Sequence, residues 1–240
     1  MTGNRQISWG PVLLEGAVIV ASILLAFSID AWWDNRIDHQ REREHLVSMR
    51  TEFQASLSGL DEVLSSIQGH AKNIETFIEL LKASGDEPVM VPGSLLGSAI
   101  TWRTSDVSTS TVSALLASGE LILLRNVELR ENLAGLPAFL SDVTEDELIA
   151  QHFAESEMSV FLARKGLAEI AYANRSGVPG PEGIQGLNAP DEISVLSSPE
   201  LVGLLTARRV HFWYSEVGLP AVRSYLEMLI EQIDDELKRQ

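Results

Sequence analysis

The chain has 240 residues, a formal net charge of −16, a 45% share of hydrophobic residues and no cysteine. That apolar share is ample for a packed core and argues against global disorder. The acidic charge repels phosphate backbones, so we expect no nucleic-acid partner, and the lack of cysteine excludes disulfides, thiolate metal sites and cysteine catalysis.

A short amino-terminal flank, residues 1–11, precedes an apolar run from Val12 to Ile29. A helix of that length extends about 27 Å, close to the roughly 30 Å hydrocarbon core of a bilayer. The run therefore predicts a membrane span. A buried core helix is the alternative interpretation, whereas a cleaved signal peptide is disfavoured because no small-residue cleavage site follows the run.

Tryptophans flank the apolar run on both sides. Trp9 precedes it, and Trp32 and Trp33 follow it. Such amphipathic rings are typical of the two membrane interfaces. We therefore predict a transmembrane helix over residues 12–33, in contact with membrane lipid.

A stripe of polar and small residues runs along one face of this predicted span. With 3.6 residues per turn, that face carries Glu15, Ser22, Ala26 and Asp30. Small residues at four-residue spacing permit close approach of two helices in lipid, so the stripe is a candidate helix–helix contact in the membrane. Alternatively, both acids reach the headgroups and make no contact. Glu15 lies inside the apolar run, and a protonatable site is a further interpretation there.

A long helix is predicted to follow the span, because no proline occurs between Pro11 and Pro88. Apolar residues recur every seven positions, at Leu46, Phe53, Leu60, Ile67, Ile74 and Leu81. Further apolar residues widen this stripe, which favours packing in a helical bundle over a strict coiled-coil seam. We predict that the transmembrane helix continues into a stalk helix over residues 34–84, ending at Gly85.

Residues 85–240 are predicted to form a helical domain. Ser105 or Asp106 is a candidate N-cap for a helix that stops at Gly119. Asn126 is a candidate N-cap for the next helix, and Thr144 is predicted to start another that runs to about residue 173.

The carboxy-terminal part begins with a Gly- and Pro-rich loop over residues 174–197. Ser198-Pro199-Glu200 then provides an N-cap, a proline at the first helical position and an early acid. We predict a helix from there to a break at Gly218 and Pro220, followed by a last helix. No segment alternates with the two-residue period of a strand, so we expect no sheet and assign the fold class as all-α.

Two segments resemble the motifs of a bacterial family of single-pass membrane proteins of unknown function. The first is LLEGAVIVASILLAFSIDAWWDNR followed by EREHLVSMRTEF, and the second is TVSALLASGELILLRNVELRENL. In that family an acid opens the span, a polar residue and a tryptophan close it, and a charged helix follows. The resemblance covers most of the chain and implies a bacterial inner-membrane protein. It supplies no activity.

The side of the membrane that holds the soluble domain is predicted differently by two signals. Arg36, Arg41, Arg43 and Arg50 follow the span and only Arg5 precedes it, which would place the domain in the cytoplasm. Members of the family often have a basic amino terminus, and the resemblance therefore implies an exported domain. We favour the periplasm.

No motif for catalysis or for a cofactor occurs in the sequence. There is no Gly-x-Ser-x-Gly elbow, phosphate loop or His-Glu-x-x-His pattern. His152 and Glu155 share a predicted helix face, but one such pair cannot fill a zinc site. We expect no enzymatic activity, no cofactor and no metal.

Arg208, Arg209 and Trp213 lie in the densest mixture of cationic and aromatic residues in the chain. Exposed together, they would form a partner surface; alternatively the aromatic rings lie in the core and the arginines in solvent. The leading hypothesis is a membrane-anchored structural or interaction protein, for example an accessory subunit that contacts other membrane subunits or a second copy of itself. A membrane-tethered helical sensor or ligand-binding domain is the alternative.

Overall fold

The first helix, α1, runs without interruption from Trp9 to Ser84 in this computed structural model. The structure describes residues 9–175 and 190–239, and their side chains from residue 14 onward. The prediction of a stalk continuous with the apolar segment is confirmed. So is its end, because Gly85 adopts a φ of 57°, which favours glycine.

Short elements follow α1, and one long helix closes the chain. Between them lie a 3₁₀ turn at Glu120–Leu123 and a π-helical turn at Phe153–Met158. The labelled elements are β1 (Val89–Pro92), α2 (Gly93–Ile100), α3 (Ser110–Ser118), α4 (Val127–His152), α5 (Ser159–Arg164), α6 (Ala168–Ala173), β2 (Glu192–Val195) and α7 (Pro199–Arg239). The all-α class is confirmed.

The core lies mainly between α1 and α7. Every member of the seven-residue stripe on α1 is at most 2% exposed. Ion pairs join the two helices at Arg50–Asp234, with 2.5 Å between nitrogen and oxygen, at Arg223–Asp61, and at Arg209–Glu75. Residue numbers rise along one helix as they fall along the other, so α1 and α7 are antiparallel, and the carboxy-terminal end of α7 lies nearest the apolar segment.

Helix α4 packs on another side of α7. The Tyr225 hydroxyl donates to the Asn132 carbonyl over 2.9 Å, and the rings of Phe139 and Tyr225 stack with centroids 4.8 Å apart. Farther along α4, a Cβ added to Gly218 would lie 3.4 Å from a methyl carbon of Val143, so the two helices are also close there. Helix α7 therefore has one face against α1, one against α4, and an outward face.

The predicted helix boundaries at Thr144 and at Pro220 are wrong. Thr144 does not start a helix, because α4 passes through it and its hydroxyl donates to the Leu140 carbonyl over 2.9 Å rather than capping. Pro220 lies inside α7 and does not end it. The buried residues Phe212, Leu219 and Val222 continue across this site, and their packing offsets the roughly 3 kcal/mol that an interior proline costs.

The prediction that no sheet forms is also wrong, although only one short pair of strands occurs in the described residues. Strands β1 and β2 are antiparallel, with Val89 opposite Val195 and Pro92 opposite Glu192. Four-residue segments are too short to show a two-residue period, and the pairing joins residues far apart in sequence. Strand β2 lies within the predicted loop 174–197, of which residues 176–189 are outside the described part of the chain.

Helix α2 is buried nearly all round, between α1 and α6. The Oγ of Ser98 donates to the Ser94 carbonyl over 2.9 Å and accepts from Asn73, also over 2.9 Å. It lies 3.0 Å from the Nδ1 of His70, which donates because the single Ser98 proton is already used. Burial, with the charges of Arg208 and Arg103, lowers the pKa of His70 to about 4, so its ring is neutral at pH 7.

Candidate membrane anchor and interaction surfaces

Within the described residues, α1 is the one helix long and apolar enough to cross a membrane. Its most apolar 18-residue window has a mean hydropathy of 1.9, and none of that window is buried. All residues from 14 to 37 are exposed, and the first buried residue of α1 is Glu42. The apolar segment therefore projects beyond the packed domain, and no residue of the described ranges covers it.

Trp32 and Trp33 lie at the end of the apolar segment, as the sequence predicted. Their ring centroids are 6.3 Å apart, and the Arg36 guanidinium lies 5.9 Å from the Trp32 ring. A cation beside an amphipathic ring suits a headgroup layer. Trp9 begins the helix, but its side chain is outside the described part of the structure.

The residues of the predicted membrane stripe, Glu15, Ser22, Ala26 and Asp30, are all exposed on α1. The Ser22 hydroxyl donates to the Val18 carbonyl over 2.8 Å, so its own helix satisfies it. In the described part of the chain neither Glu15 nor Asp30 has a hydrogen-bond or ionic partner. The two acids are therefore the members of the stripe that still need polar contacts.

Polar side chains of neighbouring helices hold the irregular segment 101–109, which connects α2 to α3. Glu52 accepts from the backbone N–H of Ser110 over 2.6 Å and of Thr111 over 3.1 Å, and from the hydroxyls of Ser108 and Ser110. Burial by itself would raise the pKa of Glu52, but these hydrogen bonds lower it to about 2. Glu52 thus caps α3 from another helix, and the predicted caps Ser105 and Asp106 are wrong.

Glu147 and Arg208 hold the other side of that segment. Glu147 accepts from the Ser105 N–H over 3.0 Å, and burial raises its pKa against the effect of that bond. Arg208 donates to the carbonyls of Thr101 and of Ala150, the latter over 3.2 Å, and lies 4.1 Å from the centre of the Phe212 ring. Burial, and Arg175 nearby, lower the pKa of Arg208.

Arg208 is only 1% exposed, so its assignment to a partner surface is wrong. Its guanidinium lies in the core because the carbonyls of Thr101 and Ala150 need donors there. Arg209 lies at the surface and pairs with Glu75 over 2.6 Å and with Glu216 over 3.0 Å. Trp213 is 51% exposed.

The outward face of α7 contains exposed apolar residues, two of them valines that sequence reasoning did not single out. Val210, Tyr214 and Val217 are exposed beside Trp213, and the Tyr214 and Trp213 ring centroids are 5.3 Å apart. The signal was present as apolar residues three and four positions apart on a helix face with no charged residue. Aromatic and aliphatic groups on a surface of this kind are typical of protein contacts.

A groove of about 640 Å³ lies between α1 and the segment 101–109. Trp102 lines it, and within the described part of the chain the Nε1 of this residue is buried without a hydrogen-bond partner. Arg103 lies 3.5 Å from Glu62 at the rim. The carboxylate of Glu52 also lines the groove but is bonded to the start of α3, and the Trp102 Nε1 is shielded from solvent, so neither group is open to a ligand in this arrangement.

No group of three or more His, Asp or Glu side chains arranged to hold a metal occurs among the described residues. Comparisons with protein-family models, with curated proteins and with solved structures found no match to this chain.

Proposed function

We propose that the protein is a membrane-anchored structural or interaction protein whose span covers residues 12–33. One observation carries the proposal: a fully exposed apolar window continues, on the same unbroken helix, into the stripe that forms the core. A core helix would bury such a window, because exposing apolar surface to water costs about 25 cal/mol per Å². Lipid is the environment that removes this cost.

The proposed partners are membrane lipid and other membrane subunits. Two exposed surfaces support a contact role: the stripe with Glu15 on the span, and the outward face of α7 with Trp213 and Arg209. The resemblance of the span and of residues 111–133 to a bacterial single-pass family supports placement in the bacterial inner membrane. An accessory subunit of a larger assembly fits these features.

Alkaline carbonate extraction of membranes tests the anchor. The double variant Val20→Asp/Ile23→Asp places two charges in the apolar window, each costing about 2.5–3.5 kcal/mol at the centre of a span. We expect it to leave the membrane fraction, and wild type to remain there. Val47→Asp is the matched control, since Val47 is exposed on the same helix beyond the window. Extraction of wild type by carbonate would refute the proposal.

The periplasmic location of the domain is part of this proposal. A carboxy-terminal alkaline phosphatase fusion should be active, and the matching green fluorescent protein fusion should be dark. An inactive phosphatase fusion together with a fluorescent green fluorescent protein fusion would place the domain in the cytoplasm instead, as the arginines after the span indicate.

Glu15 provides the test of a contact within the membrane. A carboxyl in hydrocarbon is costly unless it bonds to a partner. Co-purification from mild detergent should lose a membrane partner on Glu15→Leu and keep much of it on Glu15→Gln, because an amide still forms hydrogen bonds. Equal loss in both variants would show that the contact needs the carboxyl group itself, and full retention in both would show that Glu15 only reaches the headgroups.

A helical ligand-binding domain is the second candidate, favoured by the groove of about 640 Å³ that Trp102 lines. A small molecule retained through purification, found by mass spectrometry and lost in Trp102→Phe, would support this function. Retention unchanged in Trp102→Phe would place the ligand elsewhere.

A further inference from the structure

The outward face of α7 is uncharged over a long stretch. The residues that are most exposed between 201 and 224 lack a charge: Gly203, Thr206, Val210, Trp213, Tyr214, Val217, Ala221 and Ser224. The charged side chain of Arg223 lies at the edge of this face. The whole chain carries a net charge of −16. An uncharged face of this length on so acidic a protein is a surface that can be covered without burying a charge.

The spacing of this face is that of a coiled-coil seam. Positions 203, 206, 210, 213, 217, 220 and 224 alternate steps of three and four, which places Val210 and Val217 at equivalent positions one heptad apart. The seam is defined here as these seven positions, and Tyr214 and Ala221 lie beside it.

We propose that the seam is the contact between two copies of this chain, packed as parallel α7 helices. This inference rests on the proposed membrane anchor. Two copies anchored in one membrane both direct the carboxy-terminal end of α7 toward the bilayer, since α7 is antiparallel to α1. A two-fold axis along the membrane normal then makes the helices parallel, so that each seam residue meets its own equivalent.

The charges beside the seam have partners in their own chain, and those beyond it limit its length. Arg209 and Arg223 flank it and already pair with acids of the same chain, at Glu75 and Glu216 for the first and Asp61 and Glu227 for the second. Beyond Ser224 the exposed face carries Glu227, Glu231 and Asp235. Like charges meeting across a two-fold axis repel, and the contact therefore ends at Ser224.

The size of the seam explains why the anchor matters for the contact. A helix segment of this length extends only about 33 Å, and one helix from each copy falls short of the roughly 1,200 Å² typical of a stable interface. Anchoring in one membrane raises the effective concentration of one copy for the other without any further contact. The dimer is therefore expected in membranes.

Cysteine cross-linking in membranes tests the proposal directly, because the chain has no cysteine of its own. Val210→Cys and Val217→Cys should each give a disulfide-linked dimer on oxidation of membranes that contain the full chain, since equivalent seam residues meet at the axis. Leu148→Cys, exposed on α4, is the control and should remain monomeric. Adding Trp213→Glu to Val210→Cys should reduce the dimer at least tenfold, whereas adding Leu148→Glu should not.

Two results would overturn the second-copy contact. One is cross-linking at Val210→Cys no greater than at Leu148→Cys, and the other is a dimer that Trp213→Glu leaves unchanged. The amount of each variant in the carbonate-resistant fraction is measured on the same samples. A chain that is in the membrane but is not cross-linked refutes the dimer alone, whereas a chain absent from the membrane refutes the anchor.

Discussion

Charged side chains of the surrounding helices bond to the backbone of the irregular segment 101–109 and to the start of α3. Glu52, Glu147 and Arg208 come from three different helices and bond to Ser110, Ser105 and Thr101 respectively. A buried backbone group without a partner costs about 1–3 kcal/mol. These charges therefore stabilise a segment that has no regular hydrogen bonding of its own.

Substitution of the two neighbouring arginines of α7 should change the free energy of unfolding by very different amounts. Arg208→Gln leaves buried carbonyls without their donor and should lower the free energy of unfolding by about 2–4 kcal/mol. Arg209→Gln removes only surface ion pairs and should cost less than about 1 kcal/mol. Urea unfolding of the detergent-solubilised chain, followed by circular dichroism, measures both. Equal midpoints for the two variants would contradict a core role for Arg208.

The lowered pKa of Glu52 predicts that the stability of the protein depends on pH. Its pKa of about 2 in the folded chain lies below the ordinary 4.5, so its contribution is fully present above about pH 4.5 and is lost as the pH falls through about 2. Glu52→Gln should lower the free energy of unfolding by about 0.5–2 kcal/mol at pH 7. The difference in the free energy of unfolding between the variant and wild type should become smaller below pH 4.5.

Glu79→Gln, an exposed acid on the same helix, is the control for that pH series. Its free energy of unfolding should stay close to that of wild type from pH 7 down to acidic pH. If Glu52→Gln differs from wild type by the same free energy of unfolding at every pH, the carboxylate does not stabilise α3 by its charge.

The burial of Arg208 could not be predicted from sequence, whereas local caps could. Asn126 accepts from the Leu129 N–H over 3.1 Å, and Ser198 from the Leu201 N–H over 3.2 Å, as predicted. Such caps involve residues three apart. Arg208 bonds to residues 107 and 58 positions away, and Glu52 caps a helix 58 positions away; no local pattern contains those partners.

At the scale of elements, two glycines permit α2 to lie close to the end of α6. A Cβ on Gly97 would come within 2.1 Å of the Asn174 carbonyl oxygen, and one on Gly93 within 2.5 Å of the Asn174 side chain. Backbone lies against Gly97, so no side-chain rotation relieves the overlap. The packing of α2 therefore depends on the absence of a side chain at this position.

Alanine at two glycines should have opposite effects. Gly97→Ala should lower the free energy of unfolding by about 1–3 kcal/mol, as overpacked sites do. Gly69→Ala should raise it by about 0.5–1 kcal/mol, because Gly69 is helical with open space around it and alanine is the better helix former. Thermal unfolding ranks the two. A stabilised Gly97→Ala would contradict the close approach.

The helical elements that sequence predicted best are those with a long apolar period. The seven-residue stripe predicted α1 to its last turn, because six buried residues repeat the same signal. The predicted helix break at Pro220 and helix start at Thr144 were wrong, because the packing of α7 and α4 outweighs the effect of one residue that disfavours the interior of a helix. The strand pair was missed because β1 and β2 become strands only by pairing with each other.

The whole molecule is a helical domain built on the far part of a helix whose near part is apolar and exposed. Sequence alone predicted this continuity, and the structure confirms it. Ion pairs from Arg50–Asp234 to Arg209–Glu75 hold α7 along the stalk. The outward face of α7 therefore lies well away from the apolar segment, and a contact there and a contact in the membrane are separate surfaces.

The central claim is that one continuous helix leaves the bilayer and enters the core, and cysteine accessibility along α1 tests it most directly. Four single variants of the full chain suffice: Val20→Cys and Ile23→Cys in the apolar window, and Val47→Cys and Glu79→Cys beyond it. All four positions are exposed in the isolated chain. In opened membranes an impermeant maleimide should label the second pair and leave the first pair unlabelled. Equal labelling at all four positions would contradict a span in lipid.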